Sequence, residues 1–224
     1  QSAATAISGV TNAVNTITGT SAGGDTLTGG ARGDTFVSAA DASLFSTGNV
    51  MLDTYVGGAA QTGARDALSI GTSGAAYTIA AADSFAKMSG IEQITGVDNS
   101  GAVYSITLGA TAETAGITHI NLSADSAGSD ANVVSAAAYT STGVTITGSS
   151  GSNTDTLTGG AGADTITSGG DTAADTVSGG EGNDNFRYAA DSSLFNGSNA
   201  LIDTITGGAD TDSIVVANNG AATF

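Results

Sequence analysis

Gly159-Gly160-Ala161-Gly162-Ala163-Asp164-Thr165-Ile166-Thr167 is followed twenty residues later by Gly179-Gly180-Glu181-Gly182-Asn183-Asp184-Asn185-Phe186-Arg187. The two nine-residue stretches share the pattern GGxGxDxUx, where U is a large apolar residue. Glycines permit the positive φ of a tight turn and let carbonyl oxygens converge, while the aspartate supplies the charged oxygen that a hard cation requires. The three residues after the aspartate read as a short strand with one inward apolar side chain, as at Leu157, Ile166, Val177 and Phe186. Degraded units flank the two full ones: Ser150-Gly151 to Asp155, Gly170 to Asp175, Gly207-Gly208 to Asp212 and, far upstream, Gly29-Gly30 to Asp34.

If two such units make one coil, equivalent turns recur about every 18 residues and bring two carboxylates to the same edge. The spacing here is slightly larger. Asp155 to Asp175 and Asp164 to Asp184 are each 20 apart, and Asp34 to Asp53 and Asp184 to Asp203 are each 19 apart. Two bare carboxylates ~4 to 5 Å apart would repel by about 4 kcal/mol at an effective dielectric of about 20. A calcium ion between them turns that repulsion into a clamp.

Working outward, Asp25 to Gly58 (DTLTGGARGDTFVSAADASLFSTGNVMLDTYVGG) lies over Asp175 to Gly208 (DTVSGGEGNDNFRYAADSSLFNGSNALIDTITGG) in unbroken register. In a second alignment, Asp25 to Ala31 is identical to Asp155 to Ala161, so the second copy is longer by twenty residues. Adding one coil to a β-solenoid has this effect, because each coil contacts only its neighbours. Between the copies, Ala76 to Thr147 loses the Gly-Gly signature but keeps alternating β-branched stretches such as Val103 to Leu108 and Ile117 to Leu122. The expected organisation is a degenerate repeat unit over 1–70, an irregular β-rich segment over 71–147 and a longer repeat unit over 148–224. Ala80 to Met88 carries helical spacing without a breaker and is expected as a short helix. The paired Ser43-Leu44-Phe45 and Ser193-Leu194-Phe195 are expected to bulge and to pack Leu and Phe over a coil edge.

Composition narrows the partners. The 224 residues include 34 Gly, no Pro, no Cys and four cations (Arg32, Arg65, Lys87, Arg187) against 21 acids, for a formal charge of −17. Such a surface repels nucleic acid and anionic membranes and gathers divalent cations. Without cysteine, disulfides and thiolate sites are out, and metal can take over as the staple. No apolar run approaches the roughly 18 residues of a membrane span, and QSAATAISGV lacks the pattern of an export signal. A start without Met and a stop at Phe224 are expected of a processed chain or a piece of a longer one.

The nine-residue pattern resembles the RTX, or hemolysin-type, calcium-binding repeats of Gram-negative exoproteins. That resemblance is specific over about 150 to 215 and partial over 20 to 70. It implies an all-β chain folded as a parallel β-roll with calcium between its turns, exported by type I secretion and folding outside the cell. It also implies Asp164 and Asp184 as the leading carboxylate ligands, with carbonyls offered by the turns at Gly160, Gly162, Gly180 and Gly182. Asp155 and Asp175 follow, then Asp203 and Asp212, and in the first copy Asp25, Asp34 and Asp53. Arg32 stands where that copy would need a glycine. Ala/Thr/Gly-rich, lysine-poor repeats are also similar to bacterial surface-layer proteins.

The expected function is therefore a secreted or cell-surface structural repeat protein, stabilised by calcium, associating with copies of itself, and not an enzyme. No HExxH zinc motif occurs in the sequence, and Gly19-Thr20-Ser21-Ala22-Gly23 fits GxSxG by pattern alone. The alternatives are the secretion appendage of an exoenzyme and the stalk of an adhesin. A metal-free series of turns, in which each aspartate caps backbone, competes with the calcium reading. His119, the single histidine, is expected to be structural or exposed. Arg32-Gly33-Asp34 is read as a chance tripeptide.

Overall fold

The structure, a computed structural model, describes residues 6–9, 13–19, 23–38, 41–58, 63–126, 128, 130–170 and 172–217. It is a parallel β-solenoid whose coils stack so that each strand pairs with its counterpart one coil away. One face is a continuous nine-stranded sheet: β2 (Thr16–Thr18), β4 (Thr35–Ser38), β6 (Ala67–Ile70), β9 (Gln93–Gly96), β11 (His119–Asn121), β13 (Thr145–Thr147), β15 (Thr165–Thr167), β17 (Asn185–Tyr188) and β19 (Ser213–Val216).

The opposite face is divided. Four strands, β1 (Ala6–Ser8), β3 (Thr26–Gly30), β5 (Thr54–Gly58) and β8 (Met88–Ser89), form its first part. Six form the second: β7 (Tyr77–Ile79), β10 (Tyr104–Thr107), β12 (Val133–Ser135), β14 (Thr156–Thr158), β16 (Thr176–Gly180) and β18 (Thr204–Gly208). The coil holding β7 and β8 serves both parts, which offsets the face there.

The Thr-U-Thr strands explain the construction. β-branched threonines suit an extended, half-exposed strand, and the central apolar side chain turns inward. Strict parallel register stacks these side chains in one column: Ile17, Phe36, Leu68, Ile94, Ile120, Ile146, Ile166, Phe186 and Ile214. Ile79, Ile106, Val134, Leu157, Val177 and Ile205 form the column facing its second half. Burying one such side chain contributes about 1.5 to 3 kcal/mol, so the columns are the main source of stability. Phe36 and Tyr55 meet edge to face across the interior, with ring centroids 5.9 Å apart.

The middle segment belongs to the same stack: β9, β11 and β13 continue the nine-stranded sheet into β15. The coil that distinguishes the longer second copy is β14 with β15. Ala80 to Met88 is not helical. A turn over Ala81–Ala82 and a bridge from Ser84 to Val50 replace the expected helix, because Phe85 must turn inward onto Phe45 at 5.4 Å and Met88 onto Tyr55. A helix forms instead at α2 (Ala110–Ala115), stopped by Gly116 in the left-handed region. The two SLF segments are single helical turns, α1 (Asp41–Leu44) and α3 (Asp191–Leu194), that bury Leu44 and Leu194.

Candidate functional site: two carboxylate ladders

In most coils the position two residues before the central apolar residue of the strand carries an aspartate, and parallel stacking lines these up. On the divided face Asp25 sits against Asp53, and Asp155, Asp175 and Asp203 follow one another. The carboxylate of each later coil accepts the backbone N–H of the preceding one: Asp25 N–H to Asp53 Oδ1 (2.8 Å), Asp155 to Asp175 (2.8 Å) and Asp175 to Asp203 (3.0 Å). On the continuous face the Asp34 N–H donates to Asp66 Oδ1 (2.6 Å), Asp164 to Asp184 (2.8 Å) and Asp184 to Asp212 (3.0 Å).

The second oxygen reaches into its own coil. Gly160 N–H donates to Asp164 Oδ2 (2.7 Å) and Gly30 N–H to Asp34 Oδ2 (2.6 Å). Asp155 Oδ2 accepts from the Ser149 N–H (2.6 Å) and hydroxyl. Asp203 Oδ2 accepts the Tyr188 hydroxyl (2.9 Å). These carboxylates lie beneath the turns: Asp164 and Asp184 are 1% exposed and Asp155 is fully covered. Each thus satisfies backbone donors that the turn would otherwise orphan.

The sequence spacings need one correction. The 20-residue pairs Asp155–Asp175 and Asp164–Asp184 are true neighbours, but Asp34 is not stacked on Asp53, nor Asp184 on Asp203. Those 19-residue separations cross from one face to the other within a coil. The real partners lie 28 residues on for Asp25, Asp175 and Asp184, and 32 on for Asp34, because the helical turns at α1 and α3 lengthen those coils.

The glycines divide by role. Gly180 and Gly182 have φ of +120° and +106°, and a Cβ on Gly180 would run into the Gly160 carbonyl oxygen. Gly160 itself stands against Tyr139, with 2.8 Å to its Cβ from where a side chain would begin, and Gly162 packs on the Thr142–Gly143 backbone. Glycine at these positions lets successive turns approach to backbone contact.

Burial raises the carboxyl pKa values of Asp53, Asp66 and Asp164 above the ordinary value. Asp184 is pushed up to about 6, first by burial and then by the charges of Asp164, Asp212 and Asp210. Its Oδ2 is buried without a hydrogen-bond partner, as is Oδ2 of Asp66. An orphaned anionic oxygen among other carboxylates, next to a turn of close-packed glycines, fits a hard cation. The remaining ladder carboxylates have hydrogen-bonded oxygens that keep a second lone pair. Among the described residues no three His, Cys, Asp or Glu side chains converge as a metal-binding group, so an ion here would draw on carbonyl oxygens as well.

Several ladder members escaped the motif. Asp66 precedes Leu68 by two residues, and the Asp-x-apolar spacing alone would have found it. Asn15 takes the equivalent place and donates through its backbone N–H and its amide to Asp34 Oδ1, both at 2.7 Å. Glu92 Oε2 accepts the Asp66 N–H (3.0 Å), and Asn132 Oδ1 accepts the Tyr104 N–H (2.8 Å). Asp34, the acid of the Arg-Gly-Asp tripeptide, is fully buried in the ladder. His119 is half-buried with Nδ1 2.9 Å from the Thr118 hydroxyl, and burial lowers its pKa.

Comparison with known proteins returned no matching family model, no matching curated protein and no matching solved structure.

Proposed function

We propose that the chain is a calcium-binding structural repeat protein of a bacterial surface layer or filament, secreted in the manner of the RTX repeats it resembles, self-associating and without catalytic activity. The observation that carries the reading is the stacked turn at Asp164 and Asp184, where a buried carboxylate oxygen has no hydrogen-bond partner and the neighbouring charges are other acids. Asp184 with the carbonyls around Gly160, Gly162, Gly180 and Gly182 would hold the ion, and Asp164 would share its charge. Calcium supplies the positive charge that the four cations of the chain do not bring to this edge.

Self-association is supported by the parallel stack itself, since unpaired strand edges are templates that another copy can extend.

The test is a calcium titration of chelator-treated protein, followed by far-UV circular dichroism, thermal unfolding and particle size. A rise in melting temperature with growth in particle size is expected. A β-structure and melting temperature indifferent to calcium would overturn the reading.

A further inference from the structure

The middle coils, where the Gly-Gly signature is lost, bury a second polar seam along the edge joining the two faces. Ile94 and Ile120 are register partners, and five residues beyond each stand Asn99 and Asp125. Both are fully buried, as are Asn132 and Asn153 from the next two coils. Asp125 Oδ2 accepts the amide N–H groups of Asn132 (3.0 Å) and Asn153 (3.3 Å). Asn153 in turn accepts the Asp130 N–H at its Oδ1 (3.3 Å), which ties Asp130 to the same seam.

These contacts leave a specific remainder. Asp125 Oδ1, Asp130 Oδ2 and both amide atoms of Asn99 are buried with no hydrogen-bond partner. Asp125 also takes a hydrogen bond from the Asn99 backbone N–H, but the charges that face it are those of Asp130 and Asp98, both negative. Hydrogen bonds offset only part of the cost of a buried carboxylate with no positive neighbour, and a wholly buried amide with neither atom satisfied adds a further penalty. Glycine keeps space beside the unsatisfied oxygens: a Cβ on Gly128, whose φ is +99°, would lie 3.0 Å from Asp130 Oδ2. A Cβ on Gly151 would lie 3.3 Å from Asn153 Oδ1 and 2.6 Å from the Ser126 carbonyl oxygen.

We propose that this seam is a further cation site, holding one hard divalent ion on Asp125 Oδ1, Asp130 Oδ2 and Asn99 Oδ1. Two carboxylates with neutral amide and carbonyl oxygens, and no sulfur or imidazole, select calcium over zinc or copper. The site shares with the proposed function only the identity of its ion. It lies outside the repeat turns and uses none of their residues.

The experiment counts calcium bound to the full chain by equilibrium dialysis, in the wild type, in Asp125→Asn/Asp130→Asn and in Asp164→Asn/Asp184→Asn. Loss of one equivalent in the first variant, with that equivalent retained in the second, is expected. A first variant that binds as much calcium as the wild type overturns the middle site, and a wild type that binds none overturns it together with the repeat-turn reading. If only the second variant matches the wild type, the repeat-turn reading falls and the middle site stands. Should Asp125→Asn/Asp130→Asn fail to fold, Asn99→Asp decides. A third carboxylate should tighten one calcium site about tenfold, and unchanged affinity in that variant overturns the proposal.

Discussion

Replacing Asp164 by alanine separates the two duties a ladder carboxylate can have. In the structure Asp164 holds the Val144 N–H on Oδ1 and the Gly160 N–H on Oδ2, both at 2.7 Å, at a site 1% exposed. Alanine leaves both donors buried and unpaired, at about 1 to 3 kcal/mol each. Part of that is returned because burial had already disfavoured the charged form of Asp164. The expected net cost is about 2 to 4 kcal/mol, a large share of the roughly 5 to 15 kcal/mol that holds a domain together. Asparagine keeps Oδ1 for Val144 but turns an NH2 toward the Gly160 N–H, so it should cost about half as much.

The assay is urea unfolding in EDTA, which removes any metal contribution, with the slope checked for constancy between variants. The ladder argument requires the order wild type, Asp164→Asn, Asp164→Ala without calcium. An alanine variant within about 0.5 kcal/mol of wild type in EDTA would refute it. So would a wild type unfolded in EDTA, because the carboxylates would then serve metal and not backbone.

Four further outcomes follow from the same geometry. In EDTA, Asp184 should make the fold more stable as pH falls: its pKa is raised from 3.8 to about 6, so its contribution is complete below about 3.8 and lost as pH rises through about 6. Glu113 works in the opposite sense. Backbone N–H groups of Thr140, Ser141 and Thr142 hold its pKa down to about 2, so its contribution is present above 4.5 and lost as pH falls through about 2. Melting temperatures from pH 7 to pH 3 should show the first effect, and Asp184→Asn should flatten it. Gly180→Ala should cost at least about 2 kcal/mol in urea unfolding, from its φ of +120° and the Gly160 carbonyl, while Gly197→Ala, with nothing within 4 Å, should be neutral. Ile120→Ala, in the middle of the inner column, should lower stability by about 2 to 5 kcal/mol by calorimetry or urea unfolding.

The solenoid and its inner columns were legible because strand period and turn chemistry are local. Leu157, Ile166, Val177 and Phe186 were each placed inward by the residues on either side. The coil length was less legible, since a 19-residue separation reads like one coil while the true coil of 28 contains a helical turn whose length no motif reports. The expected helix over Ala80 to Met88 failed for a tertiary reason: Phe85 and Met88 are claimed by the neighbouring coil, and that outweighs a modest local propensity. The middle seam was invisible as well. Asn99, Asp125 and Asp130 are scattered through loops, and only the register of β9 against β11 brings them to one edge.

The ladder also explains how the stack crosses a region without the repeat motif. Where the ladder continues, the position two before the central apolar residue carries an acceptor for the neighbouring N–H; at Thr118 the N–H goes to the Glu92 carbonyl instead, and the next coil has Val144 in that place. Asp supplies the acceptor at Asp175, Asn at Asn132 and the longer Glu at Glu92. A neutral acceptor there satisfies the backbone without adding charge, so the middle coils stack with less repulsion than the coils of the two copies. Metal dependence should therefore concentrate at the buried carboxylate oxygens left without a hydrogen bond, on Asp184 and Asp66 in the repeats and on Asp125 and Asp130 between them. On the proposed reading calcium would not build the solenoid coil by coil; it would neutralise those few buried oxygens that hydrogen bonds leave over, and the number of ions bound should fall well short of the number of turns.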